Sequence, residues 1–168
     1  MKIQRCFTMS CALMLLFVLL MAGFATAEDK KKDDQSVCSN PNPASLCSAD
    51  NTCGSASTPC SVDVKRTSNS SSATPSIPGA KGNSLFCVKT GTTVTWMSSK
   101  KDTGFLIDFG ASSPFDPPGT VMGGSAKAVS VVAKTPGCAK YNLSATAQNA
   151  IYGKSKAAQA ELIVISGQ

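Results

Sequence analysis

From residue 85 onward, apolar and polar residues alternate in short runs: 85–89, 92–97, 105–109, 128–134, 140–146 and 159–165. A period of two sends successive side chains to opposite faces, so each run predicts a β-strand with one buried face. Gly91, Gly104, the segment SSPFDPPGT, Gly123-Gly124, Pro136-Gly137 and Gly153 punctuate the runs. Short strands rich in Val, Thr and Ile at this spacing predict an all-β, antiparallel β-sandwich. Within it Val94 and Trp96 share one face and Thr95 and Met97 the other, while Ile163 and Ile165 share a face of the last strand. Trp96 is the only tryptophan; it is expected in the core, its ring N–H satisfied by one partner.

The signal is weaker before residue 85. VDVKR, 62–66, alternates and predicts a first, edge strand, whereas TSNSSSATPSIPGAKGNS, 67–84, reads as a flexible loop. The Ala- and Lys-rich stretch 147–160 competes as a short helix, but Gly153 and Ser155 favour a loop.

The first 27 residues carry Lys2 and Arg5, an apolar run over 12–24 and the small-residue ending Ala25-Thr26-Ala27, the order of a cleavable signal peptide. The apolar run is short for a membrane anchor, and no cysteine follows Gly23 to accept a lipid. Cleavage leaves 141 of 168 residues, enough for one modest domain and a tail. It also removes two of the 16 Lys and Arg, so 14 stand against 10 acids and the net charge is +4. That mild charge without an arginine cluster argues against nucleic-acid binding. The expected organisation is therefore a signal peptide at 1–27, a charged leader and Cys-rich segment at 28–60, and a β-sandwich at 61–168, with no stable membrane anchor after cleavage.

The expected mature chain keeps six of the eight cysteines: Cys38, Cys47, Cys53, Cys60, Cys87 and Cys138. An even number in an exported chain points to disulfides and an oxidising compartment, secreted or periplasmic. Without histidine or a C-x-x-C pair, a structural zinc site and a redox dithiol both lack their usual residues. Cys87 sits mid-strand and Cys138 at the start of another strand, so their pairing would pin two non-adjacent strands. The four N-terminal cysteines are then expected to pair among themselves. Sequence alone leaves other pairings open, and with them the role of the Cys-rich segment as an interaction knob or a protected tail.

CVKTGTTVTWMSS, GCAKYNLSATA and AELIVIS resemble strands of the cupredoxin family, a likeness spanning 62–166. The resemblance implies a Greek-key sandwich and, in blue-copper members, a site of two histidines, a cysteine thiolate and a weak methionine. This chain departs from that pattern. MSSKKDTGF stands where the first histidine would be, QNAIYGKS replaces the ligand loop, and Cys138 precedes Tyr141 instead of following it. A copper-free module is expected, with no cofactor and no metal.

The same absence of histidine excludes Ser-His-Asp and Cys-His catalysis. Of the carboxylates, Asp116 precedes a proline as a turn residue and Asp108 is expected to face solvent, leaving no catalytic pair with Asp102. The chain therefore reads as a non-enzymatic binding or structural module of the cell envelope or extracellular space, with an unknown protein or envelope partner. SSKKDTG, GASSPFDPPGTVMGGS and QNAIYGKS would present its surface, with Pro114, Pro117 and Pro118 stiffening the middle loop. The alternative is an atypical copper or electron-transfer protein using Cys with Met97 and Met122. The sequons NSS at Asn69 and NLS at Asn142 stand outside both readings.

Overall fold

The computed structural model describes residues 36–148, 150–153 and 159–167. The expected signal peptide and the leader up to residue 35 lie outside the described residues, as do Asn149 and 154–158 of the last expected loop.

The described chain is all-β. Eleven strands follow three short 3₁₀ turns (Val37–Ser39, Pro43–Leu46 and Ala49–Asn51): β1 Cys60–Thr67, β2 Ser70–Pro75, β3 Phe86–Lys89, β4 Thr93–Met97, β5 Gly104–Asp108, β6 Phe115–Asp116, β7 Val121–Gly124, β8 Val129–Ala133, β9 Gly137–Ala147, β10 Ala150–Tyr152 and β11 Ala160–Ile165. They form two sheets in a sandwich-like arrangement, in the orders β2-β1-β4-β8-β6 and β3-β11-β9-β5-β7, with β10 added to β9. The alternation predicted this: Val94 and Trp96 are fully buried while Met97 is exposed, and Phe105 and Ile107 point inward from β5.

Three expectations are corrected. The sheets are mixed, because β1 runs parallel to β4 and β3 parallel to β11. β1 is an interior strand, since β2 pairs antiparallel along its other side. β2 falls in the stretch expected to be a loop, whose serines hide a strand with Ser71 and Ser72 buried. The outer edge of β2 is closed by Asn83, whose Oδ1 accepts from the Ala73 N–H at 2.9 Å and whose N–H donates to the Ala73 carbonyl at 2.7 Å.

The aromatic core centres on Trp96, with Phe86, Phe109 and Tyr141 packed edge-on at centroid distances of 6.5, 6.3 and 5.7 Å. Among the described residues the Trp96 Nε1, Tyr141 Oη and Thr92 Oγ1 atoms are buried without a hydrogen-bond partner. The partner expected for the indole N–H is therefore absent from the protein groups around it.

The disulfides also differ from expectation. They join Cys38 to Cys138, Cys47 to Cys87 and Cys53 to Cys60, a nested set. Cys87 and Cys138 cannot pair, because β11 lies between their strands and Ile163 is the register partner of both. Two strand spacings place them roughly 10 Å apart, beyond the roughly 7 Å Cα reach of a disulfide. Each instead takes a cysteine from the segment above. That segment crosses the outer face of the sheet and buries Ile163 to 1% exposure between the two bridges. Glu161, also on that face, accepts hydrogen bonds from the Ser36 hydroxyl and, at 2.7 Å, from the Val37 N–H. Farther along, Thr52 bridges to Cys87 and the Cys53 N–H donates to the Cys87 carbonyl at 2.8 Å, which covers the free edge of β3. The segment expected to be cross-linked within itself is thus a strap on the sandwich, and only its Cys53–Cys60 bridge is local.

Candidate functional site

One end of the sandwich gathers the expected loop SSKKDTG and described parts of the other two. The loop after β4 is built on Asp63, whose carboxylate accepts from the Ser99 N–H at 2.9 Å and the Ser99 hydroxyl at 2.7 Å and pairs with Lys65 at 2.9 Å. Burial pushes the Asp63 carboxyl up, but the hydrogen bonds from Lys65 and Ser99 outweigh it and hold it below the ordinary carboxylate range. The carboxylate therefore stays charged at neutral pH and anchors the loop. Asp102 takes a left-handed φ of 58° at its tip, and Lys100 and Lys101 beside it are exposed.

The turn between β7 and β8 lies beside it, the Ser125 N–H donating to the Thr103 carbonyl at 3.0 Å. Gly124 allows this closeness, since a Cβ there would stand 3.1 Å from the Thr103 carbonyl, and two further glycines hold the neighbouring strands close. A Cβ on Gly104 would stand 2.5 Å from Thr146 Oγ1, and one on Gly123 would stand 2.5 Å from the Lys127 carbonyl and 2.6 Å from the Phe105 ring. The β9–β10 hairpin continues the same end, Thr146 facing Gly104 and Ile151. Tyr152 there stacks under Arg66, whose guanidinium carbon lies 4.3 Å from the ring centre and whose Nη1 donates to the Tyr152 hydroxyl at 3.1 Å. Sequence reasoning missed this contact; 86 positions separate the two residues and neither carries a motif.

Arg66, Lys100, Lys101 and Lys127 thus share one end with Asp102, and among the described residues none of the four is in a salt bridge. The ion pairs Lys134–Asp116 and Lys140–Glu161 lie elsewhere. The middle loop divides. Its TVMGGS part reaches this end, whereas Pro114 is at the opposite one, its carbonyl accepting from Lys134 and Thr135 N–H groups at 2.9 and 3.1 Å. The region around Pro117 and Pro118 therefore does not stiffen a shared binding end.

The other candidate ligands stay apart. Asp108 is half-buried and accepts from the Gly110 N–H at 2.9 Å to close its own turn, and Asp116 is tied to Lys134 at 3.3 Å. No cluster of three or more Cys, Asp or Glu suited to a metal occurs among the described residues. Met97 stands in one sheet and Met122 in the other, and the six cysteines among the described residues are all in disulfides. Three disulfides fit an oxidising extracellular environment. Among the described residues no helix is long and apolar enough to cross a membrane. No protein-family model, curated protein sequence or solved structure matches the chain.

Proposed function

We propose that the chain is an exported, disulfide-locked, copper-free binding module of the cell envelope or extracellular space, built on a cupredoxin-like Greek-key sandwich. The observation that carries this reading is the constructed end formed by 98–103, 124–128 and the β9–β10 hairpin. These segments are fixed by backbone hydrogen bonds and glycine contacts yet present Lys100, Lys101 and Lys127 outward, beside Arg66 of β1. Pre-set loops lose little entropy on binding, and unpaired cations favour a partner surface with negative charge.

Two measurements test the reading. Copper titration of the purified protein, with thiols counted in the same sample, is expected to give no intense visible band, no stoichiometric binding and no free thiol. A free cysteine with a bound copper would replace this reading with the atypical copper protein. The second measurement screens the disulfide-bonded protein against a defined panel of extracellular domains and acidic glycans. Binders are expected to lose about 10-fold or more in affinity for K100E/K101E/K127E, about 1.4 kcal/mol or more, and little for K81E/K89E. Binders indifferent to the triple change would move the contact surface off this end.

A further inference from the structure

We propose that Asn69 is an N-linked glycosylation site and that the second sequon, at Asn142, stays unmodified. The inference rests on the proposed export of the chain through a pathway that glycosylates asparagine. Both positions carry the short motif, as Asn69-Ser70-Ser71 and Asn142-Leu143-Ser144. The motif cannot choose between them; their places in the sheets can.

Asn69 stands in the two-residue turn joining β1 to β2, where Thr67 faces Ser70. The turn is exposed, Ser68 takes a left-handed φ of 48°, and among the described residues the Asn69 carboxamide makes no hydrogen bond. β1 also runs past the end of β4, whose last register partner is Asp63, so the hairpin tip projects beyond its neighbour. An oligosaccharide there displaces no packed side chain.

The third residue of this sequon adds a constraint in time. In the folded protein Ser71 is only 8% exposed and its hydroxyl donates to the Leu143 carbonyl at 2.9 Å, 72 positions later. The hydroxyl a transferase must read is thus hidden once β9 arrives. At about 5–20 residues per second of synthesis, those 72 residues leave roughly 4–14 s in which Ser71 has no Leu143 to bond. The isolated β1–β2 hairpin is marginal in water and does not block access in that interval.

Asn142 has the opposite history. It lies mid-strand in β9, facing Asp108 of β5, and Ser144 faces Leu106. β5 precedes β9 in the chain, so the partner strand of the second sequon is already made when that sequon emerges, whereas the partner of Ser71 is not. The Asn142 Oδ1 also accepts from the Gln159 Nε2 at 3.3 Å in the finished fold.

The step is a glycosyl transfer. The Asn69 Nδ2 forms a bond to the anomeric carbon of a lipid-linked diphospho-oligosaccharide, that carbon's bond to the phosphate oxygen breaks, the lipid diphosphate leaves and the amide gives up one proton. The sugar then stands at the same end of the sandwich as Lys100 and Lys101.

Protein recovered from the medium or envelope of its source cells is treated with an amidase that releases N-glycans and leaves aspartate at each occupied site. Peptide mass spectrometry is expected to find that conversion at residue 69 and none at 142. The accompanying shift in gel mobility should vanish in N69Q, persist in S71T, which keeps the sequon, and be unchanged in N142Q. Exported protein with unmodified Asn69, or with sugar on Asn142, would overturn the inference while leaving export intact. Wild-type chain retained unmodified in the cytoplasm would overturn export and the inference together.

Discussion

Replacing Cys38 and Cys138 by alanine is expected to destabilise the protein by about 4 kcal/mol, more than the loss of either other bridge. The bridges close loops of 100, 40 and 7 residues. In the chain-entropy model these lengths correspond to about 4.7, 3.9 and 2.4 kcal/mol. Because the loops are nested, each bridge shortens the loop the next one closes, so the single losses fall below those values. Against a typical total of about 5–15 kcal/mol, C38A/C138A should be poorly folded at physiological temperature and C53A/C60A should remain folded. A second effect opposes this order: Cys53 and Cys60 are fully buried, so truncating them also opens space in the core, whereas Cys38 lies near the surface. Urea unfolding of the three double-alanine proteins decides between them. C38A/C138A as the least stable means that loop length dominates; C53A/C60A as the least stable means that core packing does. Peptide mapping of the oxidised wild type should recover Cys38 joined to Cys138, and a fragment joining Cys87 to Cys138 would sink the nested arrangement.

What was legible in the sequence follows from what each element needs. The six alternating runs after residue 85 carry their burial in their own composition, and all six contain strands. β2 was not legible, because two of its four buried positions are serines and its polar groups are satisfied from outside the strand, Ser71 by Leu143 and the Ala73 backbone by Asn83. The disulfide pattern was not legible either. Cys87 and Cys138 do lie in one row across the sheet, as strand placement suggested, but nothing near either residue shows that the last strand of the chain inserts between them. The Ile163–Ile165 face was assigned correctly as shared, yet its cover is the N-terminal strap and not the sandwich core. The candidate binding end lies between these cases. SSKKDTG and the Gly-Gly turn were visible as loops, while their contact through Ser125 and Thr103, and the Arg66–Tyr152 stack, depend on sheet topology.

Trp96→Ala should cost about 3–5 kcal/mol, the range for truncating a large buried aromatic. The ring is fully buried, and three edge-on aromatic neighbours from β3, β9 and the segment after β5 lose their shared partner at once. Because Trp96 sits on β4 between β1 and β8, the loss should weaken the five-stranded sheet from its centre. Tyr141→Phe provides the contrast within the same cluster. The Tyr141 hydroxyl is buried without a partner among the described residues, and burial pushes its ionisation well above the ordinary tyrosine range, so the phenol is neutral at every physiological pH. An unpaired buried hydroxyl carries a desolvation cost of about 1–3 kcal/mol, so removing it while keeping the ring should be neutral or stabilising. Denaturant midpoints of W96A and Y141F, measured beside wild type, read both effects. A Y141F protein destabilised by more than about 1 kcal/mol would mean that the hydroxyl is hydrogen-bonded in solution, because only the loss of a made bond, and not of an orphaned group, lowers stability on this substitution.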